Sequence, residues 1–166
     1  MPPTLSNPRD LFLQLLGELL WTERTLSFEV LPQLQRAVTS EGLAAAVAEH
    51  LEQTREHGPR LDAVFRAVGA EPSSNLSPPA EKLAQHHDEL AGSFADDGLA
   101  DVFHAASAAT TEHFELAAYD ALLALARAVE LPDDARRLLE QNRSEEADAL
   151  RRLESELERL AGDLRQ

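Results

Sequence analysis

The chain has 166 residues, of which 43% are apolar and 27% charged, a composition that fits one globular domain with a continuous core. Its formal charge of −15 argues against nucleic acid or an anionic membrane as a partner, because both require a basic face. The absence of cysteine excludes disulfides, thiolate zinc sites and cysteine-ligated iron–sulfur clusters. Any metal must therefore be held by oxygen and imidazole ligands.

The first residues predict neither a secretory signal nor a membrane span. They include no basic segment, and the most apolar stretch, Leu11 to Trp21, is interrupted by Gln14 and Glu18. We therefore expect a soluble cytoplasmic protein. Glycine is scarce, and apolar runs with the period of a β-strand are absent, so the predicted fold class is all-α.

The first half of the chain predicts two long helices joined by a short link. Asn7-Pro8 is typical of an N-cap followed by proline at the first helical position, and it opens a helix over about 8–38. Ser40 is a candidate N-cap for a second helix over about 41–68. The short link makes these two helices antiparallel neighbours.

The second half begins with a connector over 70–97, rich in proline and serine, which contains a short predicted helix. A third long helix is predicted over about 99–129 and a fourth over about 134–164, with a tight connection between them. The links are thus short, long and short. This order predicts a ferritin-like four-helix bundle with one long crossover, formed by the whole chain as a single domain.

Each long helix carries an acidic or imidazole side chain within its apolar stripe. These residues are Glu23, His50, Glu112 and Glu146, and Glu146 interrupts a seam of leucines at seven-residue spacing. A charge inside a helical core costs several kcal/mol unless it is paired or bound to a metal. Carboxylates and imidazoles that project inward from four facing helices are how ferritin-like proteins hold two iron or manganese ions.

Further candidate ligands lie close to these four along the helices. His57 is two turns beyond His50, Glu115 is one turn beyond Glu112 and could bridge two ions, and Glu145 precedes Glu146. Tyr119 follows on the same stripe as Glu112 and can direct its hydroxyl toward the site.

At these residues the sequence resembles the YciE/YciF-type ferritin-like stress proteins, a family related in fold to rubrerythrin. The resemblance covers about residues 7–161. It rests on five segments: Asp10-Leu11-Phe12; Glu23 followed by Leu31-Pro32; Glu49-His50-Leu51-Glu52-Gln53-Thr54 with Arg60-Leu61; Glu112-His113-Phe114-Glu115-Leu116-Ala117-Ala118-Tyr119; and Glu145-Glu146.

The resemblance implies a four-helix bundle that can hold a di-iron centre, a homodimeric assembly and a role in bacterial stress responses. The metal-facing positions that it implies are Glu23, His50, Glu112, Glu115 and Glu145 or Glu146, with His57 at a position where the family often has glutamine or histidine. It implies no defined substrate.

Two departures from the family pattern lie in the second helix. Gln53 stands where relatives usually have glutamate, and Pro59 falls inside the helix, where we expect it to bend the chain just beyond His57. In addition, the fourth helix has no Glu-x-x-His pair.

Two functions fit these residues. The leading hypothesis is a ferritin-like protein that binds two iron or manganese ions, with an oxidase or peroxidase-like activity if it is an enzyme. The alternative is a non-enzymatic helical interaction protein of the same fold, whose inward polar residues form a hydrogen-bonded network that fixes helix register.

Overall fold

The computed structural model describes residues 4–164, and within this range the chain is helical, with no β-strand. The elements in chain order are α1 (Pro8–Thr25), a π-helical turn (Leu26–Val30), α2 (Leu31–Ala37), α3 (Glu41–Ala67), α4 (Pro78–Ala91), α5 (Asp97–Leu125) and α6 (Asp133–Asp163). α5 and α6 pack together, α3 packs on α6, and α1 contacts both α3 and α5. The predicted ferritin-like bundle is confirmed, and α4 is the short helix of the crossover.

The π-helical turn interrupts the helix that the sequence predicts over about 8–38. It lies directly before Pro32, the residue at which the sequence predicts a kink. The Asn7 side chain caps the helix as predicted, by accepting a hydrogen bond from the backbone N–H of Asp10 at 2.9 Å. Further along, the N–H of Leu31 donates to the carbonyl of Leu26, five residues earlier. Since proline has no N–H to donate, the regular pattern cannot continue through Pro32, and the widened turn lies directly before it.

The link between α2 and α3 is held by a buried carboxylate at the start of α5. Asp101 is 2% exposed. It accepts hydrogen bonds from the N–H of Thr39 at 3.0 Å, the hydroxyl of Thr39 at 2.8 Å and the N–H of Ser40 at 2.7 Å. Hydrogen bonds to a carboxylate are stronger than those between neutral groups, so these contacts hold the link between α2 and α3 against the start of α5.

Two ends of the long helices differ in detail from the sequence-based expectation. α3 is continuous through Pro59, and a bend there stays a prediction. α5 ends at Leu125 rather than near residue 129, and the following turns close on Glu130, whose φ is 52°. The N–H of Leu131 then donates to the carbonyl of Ala126 at 2.9 Å. This hydrogen bond, with Glu130 in the left-handed backbone region, is a common way for a helix to end, and Pro132 follows.

The core consists of two apolar clusters separated by a layer of buried polar residues. Toward one end of the bundle lie residues such as Leu43, Val47, Ala105 and Leu153, and toward the other lie Phe12, Leu16, Leu61 and Leu139. On α3, α5 and α6 the buried glutamates, together with His50 and His57, fall between the two clusters. The polar layer is therefore sealed from water at both ends. Among the described helices, none has the length and apolar character to span a membrane.

Candidate metal centre

Four side chains from α3, α5 and α6 converge in the polar layer and form what we call the first group: His50, Glu112, Glu115 and Glu146. One ligand atom of each lies within 4.8 Å of the others. All four residues are buried, with exposed fractions of 3% or less. His50 Nε2 lies 2.9 Å from Glu112 Oε1 and 3.7 Å from Glu146 Oε2. The three elements thus supply three carboxylates and one imidazole to a single point.

A second group consists of Glu23 from α1, His57 from α3 and again Glu146, with ligand atoms within 4.8 Å of one another. His57 Nδ1 lies 3.1 Å from Glu23 Oε2 and 2.8 Å from Glu146 Oε1. Glu146 belongs to both groups, whereas Glu115 belongs to the first group. The structure therefore places Glu146, rather than Glu115, where the two groups meet.

Many donor atoms of the first group have no hydrogen-bond partner among the described residues. They are His50 Nδ1 and Nε2, Glu112 Oε2, both carboxylate oxygens of Glu115 and both of Glu146. His50 Nε2 lies close to Glu112 Oε1, and His57 Nδ1 lies close to Glu146 Oε1, but neither pair is aligned as a hydrogen bond. Buried polar atoms without partners are rare and cost about 1–3 kcal/mol each. Converging oxygen and imidazole donors without partners fit a bound cation such as iron or manganese.

Comparison with known proteins identifies the family of this chain. A family model described as "Domain of unknown function (DUF892)" matches residues 7–163. Protein YciF of Escherichia coli (strain K12) is 30% identical over 139 residues, which is 83% of either chain. The chain belongs to the YciF-type family. The resemblance seen in the sequence is thereby confirmed.

Solved structures of the same type match the whole bundle. YcfI from Rhodopseudomonas palustris is 32% identical, with a TM-score of 0.88 over 93% of this chain and 97% of that chain. The E. coli stress protein YciF is 26% identical, with a TM-score of 0.88 over 95% of this chain and 99% of that chain. The YciF-type fold therefore extends over nearly all of the described residues.

The carboxylates of this YciF-type polar layer are held away from water, and their pKa values rise accordingly. Burial raises the pKa of Glu112 and of Glu146 from an ordinary 4.5 to about 7. Burial, and then the negative charges of neighbouring carboxylates, raise the pKa of Glu115 well above its ordinary value. Crowded carboxylates must bind protons or a cation, and the first group offers no cationic side chain of its own.

The two imidazoles have opposite electrostatic behaviour. Burial lowers the pKa of His50, which favours the neutral form that can bind a metal. Burial alone would also lower the pKa of His57, but the negative charges of Glu23 and Glu146 outweigh it and raise this pKa to about 11. His57 is therefore an imidazolium at neutral pH in the metal-free protein. The second group therefore contains a positively charged side chain of its own, whereas the first group contains none.

Glu145 lies behind His57 rather than within either group. Its Oε2 is 2.9 Å from His57 Nε2, and Arg60 Nη1 donates to the same oxygen at 2.7 Å. Burial opposes ionisation of Glu145, but hydrogen bonds from Arg60, Gln141 and His57, together with the positive charge of Arg60, outweigh burial and lower the pKa of Glu145. Carboxylates in this position orient the ring of a metal-binding histidine. Glu145 thus holds His57 with Nδ1 facing the second group.

The structure adds two residues that the sequence reasoning missed, Asn142 and Arg60. The Tyr119 hydroxyl faces the site as predicted and donates to Glu23 Oε1. Asn142 Nδ2 donates to the Tyr119 oxygen at 2.9 Å, and Asn142 Oδ1 accepts from Arg60 at 2.9 Å. Asn142 lies one turn before Glu146 on the same stripe of α6, so its spacing could have revealed it.

Gln53 lies on α3 between the two histidines and belongs to neither group. Its Oε1 is buried and has no partner among the described residues. The neutral amide therefore adds no charge to either group.

Proposed function

We propose that this chain is a ferritin-like metal-binding protein that holds two ions of iron or manganese within its four-helix bundle. The observation that carries the proposal is the set of buried donor atoms without partners that converge on one point, with Glu146 shared between two such points. The donors are carboxylate oxygens and imidazole nitrogens, which suit these ions. The chain has no cysteine to favour softer metals.

Each of the two groups would hold one ion. The first group would hold one ion through Glu112, Glu115, Glu146 and His50, and the second group would hold another through Glu23, His57 and Glu146. A pair of iron or manganese ions supplies redox chemistry toward dioxygen or peroxide, so an activity at this site would be of oxidase or peroxidase type. The apolar clusters at both ends keep bulk water away from the polar layer.

The first group would bind its ion before the second group does. A cation at the first group would contact donor atoms that have no hydrogen-bond partner among the described residues, so no hydrogen bond has to be broken. A cation at the second group must displace the proton of His57, whose pKa is about 11, and the hydrogen bond between His57 and Glu23. We therefore infer that the first group binds more tightly at neutral pH.

The proposed biological setting is a bacterial stress response in the cytoplasm. The similar E. coli protein is called a stress protein. The cytoplasmic location follows from the sequence-based expectation given above and stays a prediction.

Metal analysis tests the central proposal. We expect metal-free protein loaded anaerobically with ferrous iron at pH 8 to keep about two equivalents after desalting. Glu146→Gln should reduce retention to near zero, because the substituted residue belongs to both groups. Glu154→Gln, on the same helix but 48% exposed, should retain as much iron as the wild type. Retention below about one tenth of an equivalent by the wild type would overturn the proposal.

The second candidate, a non-enzymatic interaction protein, is favoured by one feature of the site. The second group is hydrogen-bonded within itself and to Tyr119, and this network continues through Asn142, Arg60 and Glu145. Such a network can fix the register of α1, α3, α5 and α6 without a metal. It does not account for the first group, whose donors have no such partners.

We also propose that the protein is a homodimer, as the family resemblance implies. Analytical ultracentrifugation at micromolar concentration should then give a mass of two chains of 18.2 kDa each. A single species with the mass of one chain would contradict this part of the proposal.

A further inference from the structure

We propose that a small apolar cavity beside the metal centre binds one small uncharged molecule of about the size of dioxygen. The cavity lies between the end of α1, the π-helical turn, α2, α4 and α5. Its relevance to a reaction rests on the proposed function, but its occupancy does not. It differs from the metal groups in using neither His50 nor His57.

The walls of the cavity are mostly aliphatic. Leu26 and Val30 of the π-helical turn and Leu34 of α2 form one side, and Leu83 and Ala84 of α4 face Ala108 of α5. About 40 Å³ is free for the centre of a water-sized molecule. A water needs only about 10–15 Å³ by this measure, so the space can take a molecule larger than water.

Three polar side chains in the wall are already engaged elsewhere, and the remaining polar ones, Thr25, Ser107 and Glu112, are outnumbered by apolar residues. The hydroxyl of Thr22 donates to the carbonyl of Glu18 at 2.9 Å, and His87 Nε2 is hydrogen-bonded to His104 Nδ1 at 2.9 Å. The hydroxyl of Thr111 donates to a backbone carbonyl of its own helix at 3.3 Å. A polar molecule would lose hydrogen bonds with water on entering such a space, whereas an apolar one would not. Apolar cavities of this kind stay dry and bind xenon or small hydrocarbons.

The inner end of the cavity reaches the metal centre. Glu112 is part of its wall and is also a member of the first group. Glu112 Oε2 is buried and has no partner among the described residues. A molecule in the cavity would therefore lie against a side chain of the proposed metal site.

The π-helical turn supplies two of the wall residues, Leu26 and Val30. A π-helical turn carries more residues per turn than an α-helix, so it changes the direction of the side chains that follow it. The opposite wall belongs to the crossover helix α4, which packs mainly on α5. Two elements that a plain four-helix bundle would lack therefore contribute to the wall, together with α1, α2 and α5.

Crystals of the metal-free protein pressurised with xenon test the inference. We expect one xenon site in the cavity of the wild type, located by its anomalous scattering. Ala108→Leu should remove this site by filling the space. Ala121→Leu is the matched control, because it is also a half-buried alanine of α5 but faces a separate groove between α1 and α5. That variant should keep the xenon.

An empty cavity in the wild type, or unchanged xenon in Ala108→Leu, would overturn the inference. If Ala108→Leu does not fold, Ala84→Leu fills the same space from α4 and should abolish xenon binding equally. Xenon occupancy is measured without metal, whereas the proposed function is tested by iron retention. Loss of one result therefore leaves the other standing, and the two failures can be distinguished.

Discussion

Glu115→Leu is expected to stabilise the metal-free protein by about 1–3 kcal/mol and to abolish its stabilisation by metal at the first group. Glu115 is completely buried, and neither of its oxygens has a partner among the described residues. Burial and the nearby negative charges raise the pKa of this carboxyl well above its usual range, so it either carries an uncompensated charge or takes up a proton on folding. Leucine removes both costs.

Urea denaturation in the presence of a chelator at pH 7.5 measures the first effect. Thermal melting with manganese measures the second, because a ligand at about one hundred times its dissociation constant stabilises a protein by roughly 2.7 kcal/mol. Glu154→Leu is the control for acid-to-leucine substitution at a 48% exposed site, and its stability should change by no more than about 0.5 kcal/mol. A less stable Glu115→Leu protein would show that the carboxylate has a stabilising protein partner, and a variant with the full manganese shift would show that Glu115 does not hold the metal.

The same variant separates the two candidate functions. A degraded site predicts a more stable Glu115→Leu protein and no metal shift in the wild type. A working metal site predicts the same stabilisation together with a wild-type shift that the variant loses. Glu115 is the residue to substitute because it has no protein partner to lose, whereas Glu146 Oε1 lies 2.8 Å from Nδ1 of the His57 imidazolium.

The inward direction of the principal site residues could be predicted from the sequence because a helical stripe is a local property. Glu23, His50, Glu112 and Glu146 each have apolar neighbours three, four and seven residues away, and the structure buries all four. Their division into two groups could not be predicted. It depends on how each helix is rotated and shifted against the others, which the packing of the whole bundle decides.

Glu145 and Asn142 show the limit of that local reasoning. The sequence offers Glu145 and Glu146 as alternatives, and only the relative position of α3 and α6 places Glu145 behind His57. Asn142 carries no charge, so it does not stand out as a ligand, although it bonds to Tyr119. The π-helical turn is a further case, since Pro32 indicates an irregularity but not which residues widen to accommodate it.

The metal-free protein should lose at least about 2–3 kcal/mol of stability, the contribution of His57 alone, as the pH rises from 6.5 to 8.5. The folded-state pKa of His57 is raised from 6.5 to about 11. Its stabilising contribution is complete below 6.5 and is lost as the pH rises toward 11, because across this window the folded state keeps a proton that the unfolded state has released. Glu112 and Glu146 act in the same direction, since their pKa values are raised to about 7 and their contribution is lost as the pH passes that value.

Chemical denaturation at constant ionic strength, with a chelator present, measures this slope. The window begins at 6.5 because burial lowers the pKa values of His50 and His104, whose opposite contribution is confined to lower pH. His57→Gln should flatten the slope, whereas His113→Gln, at a 64% exposed position on α5, should keep it. Manganese should reverse the trend, because a bound ion replaces the protons and gains affinity as they leave. A metal-free protein that becomes more stable between pH 6.5 and 8.5 would contradict an imidazolium at His57, and the second group would then be open to a cation at neutral pH.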